Sequence, residues 1–219
     1  MSRVLDDSIE AFLDAANPEP SPLLEEMTAY GREESFPIVG PDVGRFLRVT
    51  ATLADADRVF EFGSGFGYSG AWFLGALPEG GELVLTDYDE ENLERAEAFL
   101  SRMDTDATVR YEAGDAMETF RRYDGPFDVV LVDHEKSQYR DAFEDVRGAV
   151  ADGGVVVADN MMEGPVNPAD VTAALCGAEP VDDHTAGVAA YIEYVRDLED
   201  FETAFVPLGE GVAVSVKRP

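Results

Sequence analysis

"ETAFVPLGEGVAVSVK", residues 202–217, contains two β-branched and aromatic runs, 202–209 and 211–217, with only Glu210 and Gly211 at their junction. A connection that short admits a hairpin and nothing else, so the two runs pair antiparallel. Working outward, the preceding runs demand the opposite arrangement. "RVFEFG" (58–63), "ELVLTD" (82–87), "TVRYEAG" (108–114), "FDVVLVD" (127–133) and "GGVVVADN" (153–160) alternate with helical patterns. Strands joined by helix-length crossovers lie parallel, and their near-continuous apolarity marks them as covered on both faces. The expected fold class is therefore α/β: a mostly parallel seven-stranded sheet with helices on both faces and an antiparallel last strand.

The helical stretches carry their own signals. "DEENLERAEAFLSRM" opens on Asp89 as an N-cap, with acids in its first turn. "SQYRDAFEDVRGAV" sets Tyr139, Phe143, Val146 and Val150 on one stripe at helical spacing. Residues 1–50 read as a broken helical extension, "DDSIEAFLDAA", "PEPSPLLEEMTAYGREE" and "GPDVGRFLRVTATL", ahead of an α/β core at 57–219. At 219 residues and 23.8 kDa, with no linker-like segment, residues 1–219 are expected to form a single domain.

Charge bounds the environment more than the activity. Asp and Glu number 46 against 16 Lys and Arg, a formal net charge of −30 with a pI near 4.1. The acids are scattered along the chain, as on a solvated surface. Such self-repulsion is tolerable when molar salt screens it, the Debye length falling to ~3 Å at 1 M. Only 2 of the 16 cations are lysine, Lys136 and Lys217. Acid excess with lysine depletion points to the cytoplasm of a salt-accumulating halophile. It weighs against electrostatic binding to nucleic acid or to an anionic membrane. The single Cys176 excludes an internal disulfide and fits a reducing compartment. "MSRVLDDSIEAFL" has neither a signal-peptide pattern nor a membrane-spanning length of apolar residues, so a soluble cytoplasmic protein is expected.

After the first strand comes "EFGSGFGYSG", residues 61–70. Gly63, Gly65 and Gly67 let the backbone turn tightly and approach a ligand at the next helix N-terminus. Asp87 closes the second strand, where it can accept hydrogen bonds from a ribose diol. Both features suit any nucleoside cofactor. Gly65, Gly67 and Gly70 also satisfy G-x-G-x-x-G, so the loop by itself leaves a nicotinamide dinucleotide and S-adenosylmethionine both open. The terminal hairpin favours the sulfonium cofactor, because dinucleotide folds normally continue in parallel. "EAGDAMETF" (112–120) adds a polar turn, with Asp115 and Ala116, where an adenine edge would lie.

Two further strands end in acids. Asp133 closes the fourth run, and Asp159 and Asn160 close the fifth. In open α/β sheets ligands bind at the carboxyl ends of the strands. Two carboxylates and an amide oxygen there are hard ligands suited to Mg²⁺ or another divalent cation. Zinc has no Cys/His cluster to hold it, since His134 and His184 stand alone. Lys136 lies just beyond Asp133. Burial beside a metal ion disfavours the ammonium form, as a general base requires, and arginine could not give up a proton there. Each residue singly also reads as a strand-end acid, a cap or a surface cation; all of them fall on the edge of the glycine loop.

Together these residues resemble the divalent-metal-dependent O-methyltransferases, the catechol and caffeoyl-CoA O-methyltransferase family. The likeness runs from about Val39 to Lys217 and is carried by "GPDVGRFL", "FEFGSGFGYSG", "LTDYDEENLERA", "GDAMETF", "VDHEKSQY", "GGVVVADN" and "VPLGEGVAVSVK". The resemblance implies a Rossmann-like class I methyltransferase fold, with S-adenosylmethionine bound along Gly63, Gly65, Gly67, Asp115 and Asp133. It places Ser69 on the methionine carboxylate, Asp87 on the ribose diol, Glu61 and the Val39 backbone near the methionine part, and Ala116 and His134 at the adenine end. Asp133, Asp159 and Asn160 would hold Mg²⁺, and Lys136 would deprotonate the acceptor. The implied acceptor is a catechol-like vicinal diol or similar small hydroxyl compound, and a homodimer is compatible with the family.

The chain departs from the family in two places. Glu135 stands where catechol O-methyltransferases carry an aromatic residue that stacks on adenine. Residues 161–190 match no motif, in a region that would help form the acceptor pocket. Two alternatives stay open: methylation of a hydroxylated tRNA uridine, as by some bacterial relatives, and a nicotinamide-dependent oxidoreductase. The latter leaves "ADN" (158–160) unexplained and finds Tyr139 after Lys136 rather than one helical turn before it.

Overall fold

The computed structural model describes residues 4–219. Three helices come first: α1 (Asp7–Ala16), α2 (Pro22–Glu33) and α3 (Gly40–Leu53). The alternating core follows as β1 (Arg58–Phe62), α4 (Tyr68–Leu74), β2 (Glu82–Asp87), α5 (Glu90–Leu100), β3 (Thr108–Ala113), α6 (Ala116–Phe120) and β4 (Phe127–Val132). A 3₁₀ turn over Lys136–Gln138 leads into α7 (Tyr139–Arg147) and β5 (Val150–Ala158). Then come α8 (Pro168–Leu175), α9 (Asp183–Arg196), β6 (Phe201–Val206) and β7 (Val212–Lys217). Among the described residues no helix is long and apolar enough to cross a membrane.

The seven strands form one sheet in the order β3-β2-β1-β4-β5-β7-β6. β1 to β5 are parallel, and β7 runs antiparallel to both β5 and β6, as the short connection required. Strand residues alternate between faces, and the sequence loads both faces with apolar side chains. Val59, Leu83, Leu85, Val129, Leu131 and Val157 join one cluster with buried residues of α2, α3, α4 and α5. Phe60, Phe62, Val84, Val130, Val132 and Val156 join another with α6, α7 and α9. Helix starts are fixed locally: Ser21 and Asp89 accept from backbone N–H groups of α2 and α5, and Pro22 occupies a first-turn position where no N–H is needed.

Two sequence readings need correction. The hairpin connection spans 207–211 rather than Glu210 and Gly211 alone. Pro207 has no N–H to extend the ladder, and Gly209 (φ 56°) and Gly211 (φ 89°) turn the chain through left-handed conformations. Val150 belongs to β5, not to the helical stripe of Tyr139, Phe143 and Val146, because α7 ends at Arg147. Only the second of these leaves the site untouched.

Candidate active site

Parallel strands deliver their following loops to one edge of the sheet. There the loops after β1, β2, β3, β4 and β5, the β6–β7 connection and residues 36–39 enclose a cleft of about 660 Å³. It holds Val39, Gly63, Gly65, Asp87, Ala116, Asp133, His134, Lys136, Asp159 and Asn160 in its lining. Ser69 lines a small adjoining cavity that shares Phe36, Val39, Gly63, Gly65 and Asp133 with it. Glu61 lies fully buried beneath, and Asp115 stands behind Ala116 as the N-cap of α6. Gly67 does not face the cleft: a Cβ there would meet Ala96 and Leu100, so this glycine seats α4 against α5.

On the glycine-loop side the geometry is over-determined. A side chain at Gly63 would put its Cβ 2.4 Å from the Asp133 carbonyl oxygen, so only glycine lets the β1 and β4 ends lie this close. The Gly65 N–H donates to Asp87 Oδ2 (2.9 Å), while Asp87 Oδ1 accepts from the Asp89 N–H (2.8 Å) and from Asn92 Nδ2 (3.1 Å). Asp87 is thereby fixed at the rim. Ser69 Oγ donates to Glu61 Oε1, but Glu61 Oε2 has no partner. Burial pushes the Glu61 carboxyl up to about 8 against the Ser69 hydrogen bond, and the charges of Asp133 and Asp87 add to the rise. His134 packs beside Phe62 and Tyr139 with neither ring nitrogen bonded, and burial holds it neutral, its pKa lowered to about 4.

On the β4–β5 side the acids outnumber the cations. Asp159 is buried, and its Oδ1 has no hydrogen-bond partner. Burial, and next the charge of Asp133, hold its carboxyl well above the usual range. Asp133 is also raised by burial, which the Lys136 cation opposes. Lys136 itself is buried, donating to Asp133 Oδ1 (3.0 Å) and contacting the Tyr139 hydroxyl (2.6 Å). Asn160 adopts a left-handed conformation, φ 60°, which asparagine tolerates better than most residues. Its Nδ2 donates to Glu210, which fixes the amide's orientation and leaves Oδ1 as the free end. A divalent cation would suit this set: hard oxygens, one of them a buried carboxyl oxygen without a partner.

Three residues of the site escaped the sequence reading. Glu210 looked like a hairpin-turn residue, yet β6 runs with β1 to β5, so the loop after it falls on the same carboxyl edge. That topology was the available signal. Tyr139 was assigned to the core stripe, which its ring does occupy while its hydroxyl reaches Lys136. Tyr88, 64% exposed, stands at the cleft rim and donates to Asp115 Oδ2 (3.0 Å), near Glu135. Residues 161–190 divide their work: Gly164 and Pro165 line the cleft, whereas α9 packs behind Lys136.

A sheet of this order, with a glycine loop after β1 and acids closing β2, β4 and β5, defines a class I methyltransferase fold. The chain is matched over residues 15–218 by the family model described as O-methyltransferase, and it belongs to that family. It is 30% identical over 128 residues to a catechol O-methyltransferase of Niastella koreensis, a match spanning 57% of this chain and 58% of that protein. It is 25% identical over 224 residues to a caffeoyl-CoA O-methyltransferase of Petroselinum crispum, covering 94% of this chain and 87% of the relative. The crystal structure of the O-methyltransferase TomG from Streptomyces achromogenes, in complex with S-adenosylmethionine, superposes with a TM-score of 0.83 at 23% identity, covering 97% and 96% of the two chains. The protein is therefore an enzyme of the methyl-transfer class, and the nicotinamide alternative is set aside.

Proposed function

We propose that this enzyme moves the methyl group of S-adenosylmethionine to one hydroxyl of a small catechol-like vicinal diol, with Mg²⁺ bound beside Lys136. The observation that carries the reading is the buried Asp159 with its unpartnered Oδ1, set against Asp133 and Lys136 in the cleft of the glycine loop. Asp133, Asp159 and Asn160 Oδ1 would hold the metal. Bound there, it would supply chelation of two neighbouring acceptor oxygens and ease ionisation of the one to be methylated. Glu61 receives the methionine ammonium on its free oxygen, Ser69 lies beside it for the carboxylate, and Asp87 accepts from the ribose hydroxyls. Tyr88 at the rim takes the place of the missing aromatic at Glu135. Lys136 accepts the acceptor's hydroxyl proton at Nζ. The apolar wall of Phe36, Pro37 and Ile38 excludes water from the reacting side.

The lining also supports a small acceptor. Asp87, Asp133, Glu135, Asp159 and Glu210 face the cleft against the single cation Lys136 among the described residues. A tRNA or a coenzyme A thioester brings phosphates that would find no partner here. The test is methylation of 1,2-dihydroxybenzene in molar KCl. We expect a mono-O-methyl product, loss of turnover with EDTA and recovery with Mg²⁺; EDTA-insensitive turnover would sink the metal assignment.

A further inference from the structure

We propose that Tyr139 is a positioning residue for Lys136, and that helix α9 clamps the pair in place. The proposal rests on the reading of Lys136 as the base.

Lysine carries its amine on a flexible four-carbon stem with three rotatable donors, so placing Nζ at one point requires external contacts. The local backbone offers little help. Lys136 opens a 3₁₀ turn of 3 residues whose N-cap, Glu135, makes no side-chain capping bond. Two contacts fix the amine instead: Asp133 Oδ1 at 3.0 Å and the Tyr139 hydroxyl at 2.6 Å. The Tyr139 oxygen accepts from Nζ, so the phenol and the Asp133 carboxylate together fix where the amine sits.

Tyr139 is itself immobilised. It is fully buried, its ring 5.7 Å from His134 at an interplanar angle of 23° and 5.9 Å from Tyr191 of α9 at 75°. One turn before Tyr191, Gly187 brings the α9 backbone onto the lysine turn. A Cβ at Gly187 would lie 2.3 Å from the Lys136 carbonyl oxygen and 2.7 Å from Ser137 Cα. Any larger residue must push the turn away. Gly187 lies in 161–190, a segment matching no motif, and the contact gives its α9 portion a role in holding the lysine turn.

The experiment is steady-state methylation of 1,2-dihydroxybenzene at saturating S-adenosylmethionine and Mg²⁺, with Tyr139→Phe, Lys136→Ala and the double variant. Tyr139→Phe keeps the ring packing and removes only the hydroxyl. Expected is a fall in kcat of about 10- to 100-fold, with the S-adenosylmethionine Kd unchanged and no further loss on the Lys136→Ala background. Wild-type kcat in Tyr139→Phe, or an equal loss on both backgrounds, overturns the proposal. Gly187→Ala should lower kcat likewise without weakening the cofactor, and an unchanged kcat overturns the role of α9. Full turnover by Lys136→Ala would instead remove the base assignment itself, a result distinct from either.

Discussion

The two lysines of this chain sit at opposite edges of the same sheet and serve opposite ends. Lys217 closes β7 at the edge where the parallel strands begin, donating to the Val150 carbonyl (2.7 Å). Ion pairs recur along the starts of the strands and beside them: Arg58 Nη2 meets Glu82 Oε2 at 2.9 Å, Arg110 shares Glu82, and Arg147 grips both oxygens of Asp200. Lys136 stands at the other edge among Asp133, Asp159, Asn160 and Glu210, with buried carboxylate oxygens of Glu61 and Asp159 left without partners. At the first edge the arginines are paired with acids. The second keeps buried carboxyl oxygens without hydrogen-bond partners, which costs stability that a bound ligand would restore.

That contrast can be broken most directly by exchanging the effects of the two lysines. Lys136→Ala should lower kcat by roughly 10²- to 10⁴-fold, the range for a lost general base. Lys217→Ala should leave kcat intact and lower the melting temperature alone. A catalytic defect in Lys217→Ala would dissolve the distinction. Activity assays and thermal melts on the same preparations decide it.

Glu61 sharpens the comparison next. Glu61→Gln should weaken S-adenosylmethionine by roughly 10- to 100-fold, as for loss of a hydrogen bond to a charged group, measured by calorimetric titration. Its protonation adds a sign. The carboxyl titrates near 8 in the folded enzyme against 4.5 ordinarily, so between those values the folded state binds more protons than the unfolded one. Stability of the cofactor-free enzyme from this group is present at low pH and lost as pH rises through that window. Cofactor affinity should move the other way, strengthening toward pH 8 as Glu61 ionises to meet the ammonium. Glu61→Gln should flatten both trends; a wild-type affinity independent of pH would contradict this assignment.

The chain as a whole carries a formal net charge of −30. We expect the melting temperature to fall as KCl is lowered from molar to dilute concentrations, since screening is what the acid excess needs. A melt insensitive to KCl would remove the halophilic reading. Smallest in effect, Glu82→Ala should strip two arginines of their partner and lower the melting temperature by about 2–4 °C, with kcat unchanged.

Much of this was legible in the chain because the signals were local. Apolar runs set the strands, Asp89 and Pro22 set helix starts, and the short 207–211 connection forced the last strand to reverse. Asp133, Asp159, Asn160 and Lys136 were readable as a group because strand ends share an edge in a parallel sheet. What escaped depended on contacts between distant segments. Glu210 reaches Asn160 only through the direction of β6, the Tyr139 hydroxyl and Gly187 meet Lys136 only once α7 and α9 are packed, and Gly67 turned out to seat a helix. No spacing rule separates a tyrosine whose ring fills a core from one whose hydroxyl also holds a lysine.

The central claim is that the open edge binds a divalent cation through Asp133, Asp159 and Asn160. It can be tested without knowing the acceptor, by titrating Mn²⁺ into the enzyme in molar KCl and following free ion by electron paramagnetic resonance, with Asp159→Ala alongside. The account predicts one site per chain, displaced by Mg²⁺ and lost in the variant. Equal Mn²⁺ binding by wild type and Asp159→Ala, or no site in the wild type, would contradict it.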